Sequence, residues 1–304
     1  MKLSVITPVF NGERFLAETI ESVLRCCRDI EFEYLVVDDG STDNTSEILE
    51  TFRDKIQIIN KPNSGQADSI NEGLSLAKGE YGIIVNADDP LVSEKLFDLS
   101  FKEFDDNDLI VCYPDWEVIS SDGKTIKRIK TKDYSKKILI GHLQCLPGPG
   151  AVFRIACARR VNGWNRNFKY VADYDFWIRL SEIGKFKRIP QNLAAWRMHE
   201  DSTSISQKNF SMALERIRVI EELPFLNELS PKLRNKALAS AYYQAAVLSY
   251  FDPTIPGKEW FKKSLSLDPT IVLRSKPTRT LFLLLFPWSA WLAKYVSKKF
   301  RHLN

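Results

Sequence analysis

The sequence predicts an α/β fold: a mostly parallel sheet flanked by helices, followed by a helical C-terminal extension. Two observations predict it. The first ninety residues alternate short β-branched apolar runs with apolar residues at helical spacing, and from about Phe210 the pattern is helical to the end.

The elements follow in order. Leu3–Val9 is a strand, and Phe15, Leu16, Ile20, Val23 and Leu24 form the apolar face of a first helix. Phe32–Val37 is a second strand, broken by "DDGSTDNT", where Ser41 or Thr42 can cap a helix with the stripe Ile48, Leu49 and Phe52. Ile56–Ile59 is a third strand, Gln66–Ala77 a third helix with Ile70, Leu74 and Ala77 inward, and Tyr81–Val85 a fourth strand. After Pro90 the regularity falls. Residues 109–130 read as a strand pair closed by a turn at Asp122–Gly123, and "CLPGPG" (145–150) as a loop. Asp173–Ile183 has helical spacing, and Phe186–Ile189 and Leu193–Met198 are two short strands. The segment "ALASAYYQAAVLSYFDP…EWFKKSLSLDPT" resembles one helix-turn-helix repeat of the tetratricopeptide kind. The expected division is residues 1–206 and 207–304.

Composition narrows the function. With 44% hydrophobic and 27% charged residues, the 304-residue chain is ordinary globular protein, and a net charge of +4 makes no case for nucleic acid. The charge is uneven: Thr270–Asn304 holds seven Lys or Arg and no acid. Within it Leu281–Ala293 is largely apolar and shorter than the roughly 20 residues of a spanning helix, so it is expected to lie in a membrane interface, the alternative being a helix packed against its own domain or a second subunit. Trp288, Trp291 and Tyr295 suit the headgroup region and the following lysines suit anionic lipid. Five cysteines without a CxxC pair favour a reducing compartment. No signal peptide is expected, because "KLSVITPVF" already reads as a core strand. The expected location is the cytoplasm, peripheral on the membrane face.

In an open α/β sheet, ligands bind at the carboxyl ends of the strands. Three such ends are polar here: "TPVFNGERF", "VVDDGSTDNT" and "VNADDP". Neither GxGxxG nor GxxxxGK[ST] is present, which removes the dinucleotide and P-loop readings. The ends offer carboxylates, and acids beside a phosphate require a divalent cation between them.

Four separated blocks, "SVITPVFNGERFLAETIESVL", "YLVVDDGSTDNT", "NSGQADSINEGLSLAKGEYGIIVNADD" and "ADYDFWIRL", resemble family 2 glycosyltransferases, inverting enzymes of the GT-A fold, across residues 3–205. The resemblance implies a nucleoside diphosphate sugar donor, a glycan or lipid-linked acceptor, and Mg²⁺ or Mn²⁺. It assigns nucleotide binding to Thr7, Pro8, Val9, Asn11, Glu13, Asp38 and Asp39; an acid can accept a base N–H. In the family's Asp-x-Asp motif, Asn86 takes the first position, Ala87 the middle and Asp88, the metal ligand, the last; Asp89 is left to hydrogen-bond or cap. Where the family often carries Arg-Asn-x-Gly, this chain has Ile70, Asn71, Glu72 and Gly73, leaving Gln66 and Asp68 as polar candidates on that side. Asp173 matches the general base, with Asp175 and Trp164 on the acceptor side. The family's Arg-x-His is Arg197, to pair with phosphate or hold the loop, and His199, to complete the metal shell or contact the diphosphate. A sugar nucleotidyltransferase and a non-catalytic nucleotide- or carbohydrate-binding module are the alternative readings.

Overall fold

The computed structural model describes residues 2–200, 202, 209–250 and 252–271. Strands β1 (Leu3–Val9), β2 (Phe32–Asp38), β3 (Gln57–Asn60) and β4 (Tyr81–Ile84) pair in parallel in the order β3–β2–β1–β4. Helices α1 (Leu16–Cys26), α2 (Thr45–Thr51) and α3 (Gln66–Leu76) connect them. Then come α4 (Lys95–Glu103), β5 (Leu109–Ser120), β6 (Thr125–Ile129), α5 (Lys136–Leu139), β7 (Val152–Arg154), α6 (Ile155–Arg160), α7 (Ala172–Leu180) and β8 (Lys185–Met198). The short β7 joins β4 to β5, antiparallel to both, and β8 runs parallel along the other edge of β5. This is the mostly parallel, helix-flanked α/β sheet of the GT-A type.

All seven residues of β1 are buried, as a central parallel strand covered on both faces requires. Leu16, Ile20 and Val23 of α1 pack into the cluster that also holds Leu3, Val5, Val36, Leu49, Ile83 and Phe97. On α3, a Cβ at Gly73 would lie 2.5 Å from Ile6 Cγ2, so glycine sets how closely that helix approaches β1.

Three expectations change. Helix α2 starts at Thr45 with Asn44 in the cap position, because Ser41 and Thr42 are taken up by Asn11. The two strands expected over 186–198 are one strand, β8. Its register passes from Pro114↔Ile189 to Asp115↔Asn192, so Pro190 and Gln191 bulge out without breaking the pairing. Helix α4 falls where the sequence loses its periodicity, yet it buries Leu96, Phe97 and Ser100.

The chain forms two compact units, one of Met1–Ser135 with Cys145–Ser202, the other of Lys136–Gln144 with the described part of Thr203–Asn304. In the second, α8 (Phe210–Glu221), α9 (Pro231–Val247) and α10 (Gly257–Leu267) follow one another. Ser230 caps α9 through the Leu233 amide with Pro231 in its first turn. Tyr243, Ala246, Phe261 and Ile271 form this unit's core. Residues 136–144 are held to α9 where Ser240 Oγ donates to the Gly141 carbonyl at 2.8 Å. The apolar, basic segment after Leu281 lies outside the described residues, among which no helix is long and apolar enough to cross a membrane.

Candidate active site

The parallel register brings the ends of β1, β2 and β4 side by side, with Val9 opposite Asp38 and Ile6 opposite Ile84. Past β1, Asn11 turns through a left-handed conformation (φ 51°), which asparagine tolerates better than most residues. Its Oδ1 accepts from the Thr42 amide at 2.8 Å, and its own amide donates to Ser41 Oγ at 2.9 Å. Glu13 Oε2 accepts from the Asn44 side chain at 2.8 Å and backbone at 3.1 Å. Asn11 and Glu13 thus brace the loop after β2. Thr7, Pro8 and Val9 are all buried within β1, where the Thr7 hydroxyl is paired with Tyr34 Oη at 3.0 Å. The sequence reading missed Phe10, directly beyond them and 51% exposed. An aromatic immediately after a fully buried strand was the signal.

Asp38 Oδ1 accepts from the Ser41 amide at 2.9 Å, closing the turn after β2. Asp39 accepts from the amides of Ser64 (2.9 Å) and Gly65 (2.8 Å) and from the Lys61 ammonium, joining this loop to the start of α3. Burial works to raise the Asp39 pKa, but Lys61 and the two amides outweigh it and hold the carboxyl below its usual range.

The end of β4 is built differently. Asn86 Oδ1 accepts from Gln66 Nε2 at 3.0 Å, and Asn86 Nδ2 donates to Asp89 Oδ2 at 3.0 Å. Asp89 is buried and also accepts the Arg197 amide at 2.8 Å. Burial, then the neighbouring Asp88 charge, pushes its pKa well above the carboxylate range. The Ala87 carbonyl accepts from Thr19 Oγ1 at 2.9 Å, tying the turn to α1. Asp88 is left facing outward, its side chain 32% exposed, with Oδ2 2.9 Å from His199 Nε2. Of the two roles expected for Arg197, the structure shows it holding the loop: it is 1% exposed and its Nε donates to the Asp88 carbonyl.

Asp173 stands exposed in the first turn of α7 and accepts from the Tyr174 amide at 2.7 Å. The same helix packs Phe176 and Trp177 edge-on against Phe153 of β7, the neighbour of β4. Asp175 is corrected: it is buried and pairs with Arg179 at 2.6 Å, while Arg179 donates to the carbonyls of Val161 and Gly163. It holds the loop that carries Trp164. Trp164 is fixed by reciprocal 2.8 Å bonds between its backbone and the Asn71 amide, one and a half turns along α3 from Gln66. It lines a cleft of about 620 Å³ with Asn71, Leu74, Arg159 and Asn167. Asp68 pairs with Arg166 at 2.6 Å beside the same loop.

Residues 4–162, more than half of the chain, match Glycosyl transferase family 2. The chain belongs to that family. This family 2 glycosyltransferase is 28% identical over 210 residues to a hyaluronan synthase of Pasteurella multocida, covering 67% of this chain and 21% of the synthase. It thus spans about a fifth of that relative's length. Among solved structures it is similar to S. aureus TarS residues 1–349 in complex with UDP-GlcNAc (TM-score 0.69, 18% identity, 100% of this chain and 93% of that one). It is also similar to the mannosyltransferase PcManGT from Pyrobaculum calidifontis with GDP-Man and Mn²⁺ (TM-score 0.54, 14% identity, 95% and 82%). Of the readings open from the sequence, glycosyl transfer is the one that family membership supports.

Proposed function

We propose that the enzyme transfers a sugar from a nucleoside diphosphate sugar, with inversion, to a hydroxyl of a glycan or lipid-linked acceptor. The observation that carries the reading is the meeting of Asp88 Oδ2 and His199 Nε2 at 2.9 Å across 111 residues of sequence. A carboxylate oxygen and an imidazole nitrogen brought together in this way would hold one Mg²⁺ or Mn²⁺. Among the described residues no three His, Cys, Asp or Glu side chains gather as an all-protein metal site. Asp88 and His199 are thus the residues that would hold such a cation. When bound, it neutralises charge on the departing diphosphate.

The chain's own residues supply the rest. The exposed ring of Phe10 offers a face on which a base would stack, and Gln66 is bonded to Asn86 of the metal loop. Asp173 takes the acceptor's hydroxyl proton as that oxygen attacks the anomeric carbon and the bond to the diphosphate oxygen breaks. The nucleotides held by the TarS and PcManGT structures support the donor class. The C-terminal basic segment supports a peripheral place on the cytoplasmic membrane face. Truncation after Thr278 is expected to release the protein into the soluble fraction; unchanged partitioning would refute that placement.

The test of the reaction is a panel of nucleotide sugars with Mn²⁺ and glycan acceptors, following release of nucleoside diphosphate. Asp173→Asn is expected to lose about 10²–10⁴-fold in kcat while binding the donor as wild type does. Undiminished transfer by that variant would remove the base assignment.

A further inference from the structure

We infer that Arg197 is the positioning residue of the Asp88–His199 pair, setting metal affinity without touching metal or donor. The inference rests on the metal reading just given. The segment Arg197–His199 and the Asp88 loop are joined three times. The guanidinium Nε donates to the Asp88 carbonyl at 2.9 Å, and the Arg197 amide donates to Asp89 Oδ1 at 2.8 Å. Two residues along the chain, His199 closes the ring on Asp88. The remaining guanidinium nitrogens fasten this ring to its surroundings. Nη2 donates to Glu18 Oε2 on α1 at 2.7 Å, and Nη1 to the carbonyls of Ser121 (3.2 Å) and Ser120 (3.4 Å) in the β5–β6 turn. The cation also lies 4.7 Å from the Phe15 ring centre, and that ring packs against the His199 imidazole at 5.1 Å.

Stability alone gives little reason for this arrangement. Burying a guanidinium costs desolvation, and well-packed apolar replacements of buried ion pairs are often neutral or stabilising. What an apolar side chain lacks is a planar fork that fixes carbonyls from two loops and a carboxylate from a helix at once. Lysine, a point charge on a flexible stem, lacks it too. Groups that orient ligands from behind typically change metal affinity or activity by 10–100-fold when removed.

The test titrates Mn²⁺ in the presence of UDP, reading free Mn²⁺ by electron paramagnetic resonance, alongside thermal melting and UDP binding without metal. Arg197→Lys is expected to raise half-saturating Mn²⁺ by about tenfold or more, leaving metal-free UDP binding unchanged. Excess Mn²⁺ should then restore most of kcat, which a generally loosened fold would not allow. Glu18→Gln, at the 54%-exposed end of the network, should move Mn²⁺ affinity the same way by less, and it carries the test if Arg197→Lys does not fold. Wild-type Mn²⁺ affinity in both variants, with only a lower melting temperature, overturns the inference. So does loss of metal-free UDP binding in Arg197→Lys, which would make Arg197 a donor contact. If the wild-type protein takes up no Mn²⁺ with either UDP or GDP, or Asp88→Ala leaves the titration unchanged, the metal reading itself fails and takes this inference with it.

Discussion

Two adjacent aspartate pairs end two parallel strands of one sheet, and they are used in opposite ways. At the end of β2, Asp38 and Asp39 are both buried and turned onto backbone amides and Lys61, so their charges close loops. At the end of β4, only Asp89 is turned inward, and Asp88 is left presented beside His199. A charged donor is the difference. Asp39 is met by an ammonium and two amides that favour its charged form, whereas Asp89 sits in a buried place that disfavours it. A carboxylate fully satisfied by its own chain supports structure; one left with open lone pairs beside an imidazole is available for chemistry.

The largest expected effect breaks this contrast at its functional end. Asp88→Asn should lower transfer by about 10²–10³-fold, comparable to removing one preorganised electrostatic group from an active site. Its melting temperature should not fall, because the Asp88 charge is among the influences that disfavour ionised Asp89. A variant that keeps its activity but melts earlier would make the two pairs alike.

Asp39→Ala tests the structural end and should do the reverse, costing about 2–3 kcal/mol of stability by removing the Lys61 ion pair and stranding two amides. The cost should depend on pH. A carboxyl held below its usual range stabilises the folded state above its unfolded value, about 3.9, and loses that contribution as pH falls through its native value. The gap between wild type and Asp39→Ala in chemical denaturation should therefore narrow in acid. A gap that stayed constant from neutral pH to below 3 would show that the charge is not what matters.

Most of the sheet is legible in the sequence because its strands are covered on both faces and read as unbroken apolar runs: Leu3–Val9 needs no context to be recognised. Strand β7 escapes notice because three residues carry no period, and its place between β4 and β5 is fixed by tertiary pairing. The proline at 190 reads as an end of strand, yet pairing with β5 resumes at Asn192 because the bulge absorbs it. In the site, the residue types that suit chemistry are visible in sequence, but their availability is not. Thr7, Asp175 and Arg197 are polar at promising positions, and only the fold shows that Tyr34, Arg179 and the Asp88 loop already occupy them. Conversely, nothing in the sequence alone joins His199 to Asp88 except the resemblance of its loop.

Asn86 gives the smallest and sharpest test. A third acid at this strand end would resemble the family motif more closely, and on charge alone it should tighten metal binding. The geometry argues otherwise. The Asn86 amide nitrogen donates to the Asp89 carboxylate at 3.0 Å, while its oxygen accepts from Gln66. Asn86→Asp keeps the acceptor but puts an oxygen where the donor stands, setting a second acid against a buried one. That loss should cost about 1–2 kcal/mol, read as a lower midpoint in denaturant at an unchanged slope. Mn²⁺ affinity should not rise, since the new charge faces Asp89 and not Asp88's open side. Tighter Mn²⁺ binding without loss of stability would mean that the strand end rearranges to use three acids, and that the asparagine is not needed to hold Asp89 in place.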